Sequence, residues 1–293
     1  MEPLCTLVLP AENTLVNGEL VAPPKQVLSF LRIEQLTEPS ESDLKVFLLH
    51  LNTHSELVYQ STKEPLKQAL PELLKGLPVD AITRMFNIHQ YLPIELLWQH
   101  MRYLVRGRYH FHHYLEEQFN DKGWGCAYRA GQTVLSWFNE QRYSNVPIPS
   151  IRDMQRMLFD IDKSRNLVNT SEWIGANEVG WIISKICGVE CKIVHLSDGL
   201  NIMEKVEQLR HHLQTSGCPI MYGGDNYAFT IVGLNYSWET GECEFLIVDP
   251  HYTDENTSRQ VVSKEGVYWR DKSKLFKKGC YYNFCLPQIL LDH

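Results

Sequence analysis

The chain has 293 residues, 44% of them hydrophobic, with fourteen Tyr, eleven Phe and seven Trp. That is enough apolar and aromatic mass for one large packed domain, or a catalytic domain with a smaller companion, and it excludes a disordered regulator. The net charge of −7 comes without a clustered Lys/Arg stripe, which argues against a nucleic-acid partner.

The N-terminus lacks a basic stretch followed by a long apolar core, and no run approaches the ~20 apolar residues of a membrane span. The expected compartment is therefore the cytosol, where thiols stay reduced. Most of the eight cysteines are then expected to be buried small hydrophobes, with one or two reserved for chemistry.

Residues 1–95 read as a small unit of their own. Residues 46–51 are strand-like, residues 52–55 offer a turn, and residues 56–59 resume a strand. Leucines recur at helical intervals over residues 63–77, interrupted by Pro71. Nothing in this unit has the residues of a reaction centre, and a docking or packing role fits it. From residue 96 onward aromatics and histidines crowd together, notably in Tyr109-His110-Phe111-His112-His113-Tyr114. After the glycine pair Gly123 and Gly125, residues 127–138 have helical composition, with Val134, Leu135, Trp137 and Phe138 as an apolar face. Further helices are predicted over 151–159, where Ser150 can cap, over 176–187 and over 201–214. His211 and His212 are expected to be exposed on the last of these. Strands are predicted over 191–196, 218–222, 227–236 and 242–248, the last two forming an antiparallel hairpin. The basic run at residues 272–278 reads as a solvated loop. Helices first and sheet afterwards make residues 96–293 an α+β domain.

Two motifs carry chemistry. Gly123-Trp124-Gly125-Cys126 places a thiol at the start of a predicted helix, where unpaired N–H groups and the positive end of the helix dipole favour thiolate. The Cys126 N–H is also placed to donate to an oxyanion. The plainer reading is a buried cysteine in a Gly-rich turn. Asp249 and His251 lie two apart around Pro250, so in extended backbone their side chains leave the same face. A carboxylate beside an imidazole fixes its tautomer and stabilises the imidazolium. Here the plainer reading is a surface turn after a strand. Cys126 as nucleophile, His251 as base and Asp249 as orienter form the combination that uses both motifs. His110, His112 and His113 lack metal-site spacing, and Cys187 with Cys191, or Cys280 with Cys285, lack a matching half, so no metal or cofactor is expected.

The run GWGCAYR at residues 123–129 and VDPHY at 248–252 resemble the motifs of the ubiquitin-fold modifier 1-specific proteases, peptidase family C78, and of its longer type 2 branch in particular. Trp173-Ile174-Gly175, Ile220-Met221-Tyr222-Gly223-Gly224 and the ending Tyr281-Tyr282-Asn283-Phe284-Cys285-Leu286-Pro287 fall in the family's order. The autophagy-type deconjugating proteases share GWGC and DPH but differ after the nucleophile and at the C-terminus. The resemblance implies a papain-like cysteine protease fold, with the nucleophile on a helix and the His/Asp pair on a central antiparallel sheet. It implies that Cys126 attacks the carbonyl of the modifier's terminal glycine, that His251 and Asp249 assist, and that Tyr114 helps form the oxyanion hole. Aromatics such as Trp124 are expected to line a channel for the tail. One departure is Ala228-Phe229-Thr230, where family members often carry Ala-His-Thr. Phe229 is not the proposed base, so activity is expected to survive with an altered local surface. The implied partners are the modifier and its conjugates, together with a protein that recruits the enzyme to the endoplasmic reticulum surface. The competing functions are a non-catalytic modifier-binding adaptor and a thiol hydrolase acting on ubiquitin or an autophagy-type modifier.

Overall fold

The computed structural model describes residues 6–11, 32–33, 37–38, 54–60, 62–63, 85–92, 101–237 and 239–289. The chain divides into two compact units, Met1–Met85 and Phe86–His293, so the boundary falls ten residues upstream of the expected 95/96. In the first unit, β1 (Thr6–Ala11) lies between β2 (Arg32–Ile33) and β4 (His54–Gln60), antiparallel to both. A short parallel pair joins β3 (Thr37–Glu38) to β5 (Thr62–Lys63). The strand expected at 56–59 lies inside β4, which takes in His54 and Ser55 of the expected turn. Residues 46–51 and 64–77 lie outside the described residues.

The second unit is built on an antiparallel sheet. Its strands are β6 (Met101–Leu104), β7 (Cys191–Leu196), β8 (Ile220–Gly224), β9 (Tyr227–Tyr236), β10 (Cys243–Val248), β11 (Val267–Asp271) and β12 (Tyr282–Pro287). The order is β11-β10-β9-β8-β12-β7, and β6 continues the β8 edge of β9 from Gly233 to Tyr236. The predicted β9–β10 hairpin is present, with Tyr236 opposite Cys243 and a bulge before Ile247. β8 and β9 form a second, tighter hairpin: Gly224 faces Tyr227, and both loop residues, Asp225 (φ 50°) and Asn226 (φ 66°), are left-handed. That is the geometry that twists the right way to join paired strands directly.

Helices cover both faces of this sheet. α1 (Cys126–Glu140) and α3 (Ala176–Cys187) pack on the face that carries Cys285, whose sulfur would be 3.5 Å from a Cβ at Gly180. α2 (Ile151–Ile161) packs against both, its N-terminus capped by Ser150, which accepts the Asp153 N–H at 3.2 Å. On the other face, α4 (Met203–Thr215) sets Val206, Leu209 and Leu213 against Ile220, Tyr222, Phe245 and Phe284. Burying each such side chain contributes roughly 1.5–3 kcal/mol.

Two expectations are overturned here. His212 is 4% exposed, because it lies three residues after Leu209 and so joins the buried stripe of α4. Its Nε2 donates to the Cys218 carbonyl at 3.1 Å, and burial pushes its pKa down to about 4; His211 alone faces solvent. The basic run at 272–278 is not simply a loop. It opens with a helical turn, α6 (Lys272–Leu275), capped by Asp271, and it inserts Phe276 into the core beneath Tyr222 and Tyr282. A further short helix, α5 (Ser258–Ser263), follows the Asp-Pro-His segment.

Candidate active site

Every residue of α1 from Cys126 to Phe138 is buried, so the helix is the axis of the unit rather than a surface element. Its entry is a tight turn in which the Asp121 carbonyl accepts the N–H groups of Trp124 (3.1 Å) and Gly125 (2.8 Å), with Gly123 at φ 89°. Only glycine takes that φ without strain. Cys126 is the first helical residue, and its N–H has no partner one turn back.

Asp249 and His251 follow the end of β10 in a turn, with Tyr252 N–H directed at the Asp249 carbonyl. Strand alternation is therefore not what pairs them. Asp249 Oδ1 accepts both the His251 backbone N–H (2.9 Å) and the imidazole Nδ1–H (2.6 Å), an Asp-led turn that folds the ring onto its own carboxylate. Asp249 Oδ2 accepts the Tyr268 hydroxyl at 3.0 Å. The Cys126 sulfur is the other group that acts on the imidazole. Burial disfavours the imidazolium, but the Asp249 hydrogen bond and then Cys126 outweigh it and raise the His251 pKa to about 9.

Tyr114 reaches the same place through the histidine-rich segment. The His110 N–H donates to Ser136 Oγ (2.8 Å), the His112 N–H to Thr133 Oγ1 (3.2 Å) and the Tyr114 N–H to the Pro250 carbonyl (2.8 Å). Alternate residues are thus pinned to α1 and then to the Asp-Pro-His turn. The Tyr114 hydroxyl lies within the electrostatic reach of Cys126, and its ring meets the His251 ring edge-on at 5.2 Å. Burial, followed by the Cys126 charge, pushes its pKa well up, while the Gly123 N–H opposes the rise. The hydroxyl therefore stays protonated as a donor. Of the histidines, His110 meets Glu140 (2.6 Å) and His112 meets Glu116 (2.9 Å), so both are tied into carboxylate pairs.

A cleft of about 410 Å³ leads away from Cys126. Small residues line it, namely Gly175, Ala176, Gly223, Gly224 and Ala228, with Trp124, Trp173, Tyr227 and Tyr281 as its aromatic walls. Trp124 lines it as expected, and Trp173 is fixed there by its indole N–H donating to the Gly123 carbonyl at 3.2 Å. Phe229 stacks on Tyr222 and packs its ring 5.1 Å from that of His251, so it helps enclose the imidazole.

Among the described cysteines, burial pushes Cys187 and Cys243 up to about 12 and Cys218 well up. Cys285 donates to Cys191 across β12 and β7, raising Cys285 and lowering Cys191. Cys191 lies outside the cleft lining and Cys280 within it, and Cys126 is the lining cysteine that interacts with His251 and Tyr114. Sequence reasoning missed Tyr268, Asp121 and the walls Tyr227 and Tyr281. Tyr268 sits on a strand that the sequence did not disclose, and nothing in its local pattern points to Asp249.

Residues 100–285 match the model of peptidase family C78. The chain is 35% identical over 280 residues to the "Probable Ufm1-specific protease 2" of Drosophila melanogaster, covering 93% of this chain and 46% of that protein. It is 39% identical over 203 residues to the Ufm1-specific protease 2 of Homo sapiens, covering 69% of this chain and 43% of that one. The crystal structure of UfSP from C. elegans superposes with a TM-score of 0.63 at 30% identity, over 86% of this chain and 45% of that one. The expected α+β papain-like fold is thus present, and the chain spans less than half the length of these relatives.

Proposed function

The chain belongs to peptidase family C78, and from that premise we propose that it is a thiol protease which matures the Ufm1 precursor and releases Ufm1 from conjugated lysines. The observation that carries this reading is the convergence of Cys126, His251, Asp249 and Tyr114 at the head of a cleft lined by small residues. A tail ending in glycine can lie extended where larger side chains would be refused, which suits the glycine and alanine lining.

The chemistry follows from the geometry. The His251 imidazolium, steadied by Asp249, holds the Cys126 thiolate. The sulfur attacks the carbonyl carbon of the terminal glycine, and the developing oxyanion takes hydrogen bonds from the Tyr114 hydroxyl and the Cys126 N–H. His251 gives its proton to the leaving amine, which leaves a thioester. It then accepts a proton from the water that attacks this thioester, and the free modifier and thiolate are restored.

Tyr114→Phe is expected to lower kcat on a precursor fusion by about 10²–10³-fold with KM nearly unchanged, because the phenol's donation to the substrate strengthens as charge develops in the transition state. An unchanged kcat would remove Tyr114 from the oxyanion site.

The substrate assignment is tested with a panel of C-terminal fusions of Ufm1, ubiquitin and an autophagy-type modifier. Selective cleavage of the Ufm1 fusion is expected. Equal cleavage of the ubiquitin fusion would sink the specificity, and binding without cleavage would favour the adaptor. The proposed location is the cytoplasm, with recruitment to the endoplasmic reticulum surface by a partner protein; this rests on the family resemblance. Among the described residues, no helix is long and apolar enough to cross a membrane.

A further inference from the structure

Asp121 is fully buried (0% exposed), and its oxygens tie the segment after Tyr114 to the turn that delivers Cys126 and to α1. Oδ1 accepts the Leu115 N–H at 2.8 Å, one residue beyond Tyr114. Oδ2 accepts from Arg129 Nε at 2.7 Å, and the carbonyl accepts from Trp124 and Gly125 in the turn that delivers Cys126. The fit against that turn is close: a Cβ at Gly125 would lie 2.5 Å from Asp121 Oδ2, so the second glycine of the motif is required by this carboxylate.

Arg129 lies one turn along α1 from Cys126 and is 1% exposed. Besides Asp121 it donates from Nη1 to Glu116 Oε2 and from Nη2 to the Glu116 carbonyl, each at 3.3 Å. The segment so gripped is strained, with Leu115 at φ 64°, Glu117 at φ 58° and Gln118 at φ 56°. Side-chain-bearing residues keep that backbone only where their surroundings over-determine it. Here the surroundings are a buried carboxylate and a buried guanidinium, a pairing better suited to fixing geometry than to adding stability.

We propose that Asp121, with Arg129 as its fixed counter-charge, is a positioning residue that holds the Tyr114 hydroxyl and the Cys126 N–H in register for one oxyanion. The inference rests on the protease reading above. Asp121 touches neither the Cys126 sulfur nor the His251 ring among its hydrogen bonds, so it acts on acylation and leaves the thiolate–imidazolium pair intact. Its negative charge also helps keep the Tyr114 hydroxyl protonated. An oxyanion donor misplaced by about 1 Å forfeits rate without affecting substrate binding.

The test compares Asp121→Asn with wild type in cleavage of a Ufm1 fusion, in alkylation of Cys126 by iodoacetamide, and in melting temperature. Expected is a fall in kcat on the order of 10²-fold, with KM and alkylation rate within about twofold of wild type. Adding Asp121→Asn to Tyr114→Phe is expected to cost clearly less than the product of the two single losses, because the phenol is one of the two donors that Asp121 positions. Alkylation falling in step with kcat, a fully multiplicative double variant, or wild-type kcat in Asp121→Asn would each overturn the proposal. Arg129→Lys keeps the charge without the fork and takes over the same comparisons if Asp121→Asn loses its melting transition. A wild type that leaves the fusion intact overturns the protease reading and this proposal together; an active wild type with unaffected variants overturns the proposal alone.

Discussion

Cys126→Ser is expected to abolish cleavage of a Ufm1 precursor carrying a short C-terminal extension, a loss on the order of 10⁴–10⁶-fold. The alkoxide needed from serine is far harder to form than a thiolate, so the same imidazole at the start of α1 cannot make serine a comparable nucleophile. Serine is slightly smaller and the site is 8% exposed, so folding and modifier binding should persist. Cleavage is read by mass, and binding by co-elution of the variant with the modifier. Retained cleavage would require another nucleophile. A modifier ending in an electrophile gives an independent check, since it should label Cys126, whereas a small generic alkylator can also reach Cys191, whose pKa is lowered by Cys285. Labelling by the modifier probe at Cys191 would sink the assignment.

The second large effect is expected from Asp249→Asn. Asp249 accepts on both oxygens, from His251 at Oδ1 and from Tyr268 at Oδ2, and asparagine replaces one acceptor with a donor. Either the Tyr268 hydroxyl faces an NH₂ group, or the imidazole does and is driven to the wrong tautomer. A loss of kcat/KM between about 10²- and 10⁴-fold is expected. The pH profile gives the mechanism away. With the His251 pKa at about 9, the alkaline limb of the wild-type profile should fall near that pH as the imidazolium is lost. Without the Asp249 charge, burial dominates and the limb should move downward. An unmoved limb would mean that Asp249 does not set the charge of the ring. The sign for stability is the same. A His pKa raised on folding contributes stability that is fully present below pH 6.5 and is lost as pH rises through about 9. The melting-temperature gap between wild type and Asp249→Asn should therefore narrow over that window.

The Phe229 ring shields His251 and adds apolar enclosure around the imidazole. Enclosure disfavours the imidazolium, which makes the Asp249 contact the more necessary.

What the sequence determined by itself was local. The glycine pair before Cys126, the helical period of residues 127–138, the Ser150 cap and the hairpin of β9 and β10 are each written within a dozen or so residues, where backbone preference and side-chain period act directly. Asp249 and His251 were legible as a pair because they are neighbours, although a turn and not an extended strand makes the contact. Tyr114 was reached only through family resemblance, since an aromatic among aromatics has no local mark. The tertiary structure alone decided the rest. It brought His251 to Cys126 by running β8 and β9 beside α1 with β10 next to β9, and it set Tyr268 on Asp249 through the register of β11. It also buried His212, a polar residue on a stripe whose apolar members fix the helix's inward face. It closed Leu115, Gly125 and Arg129 around the Asp121 carboxylate. Contacts of this kind depend on burial and on partners distant in the chain, and a one-dimensional pattern has no term for either.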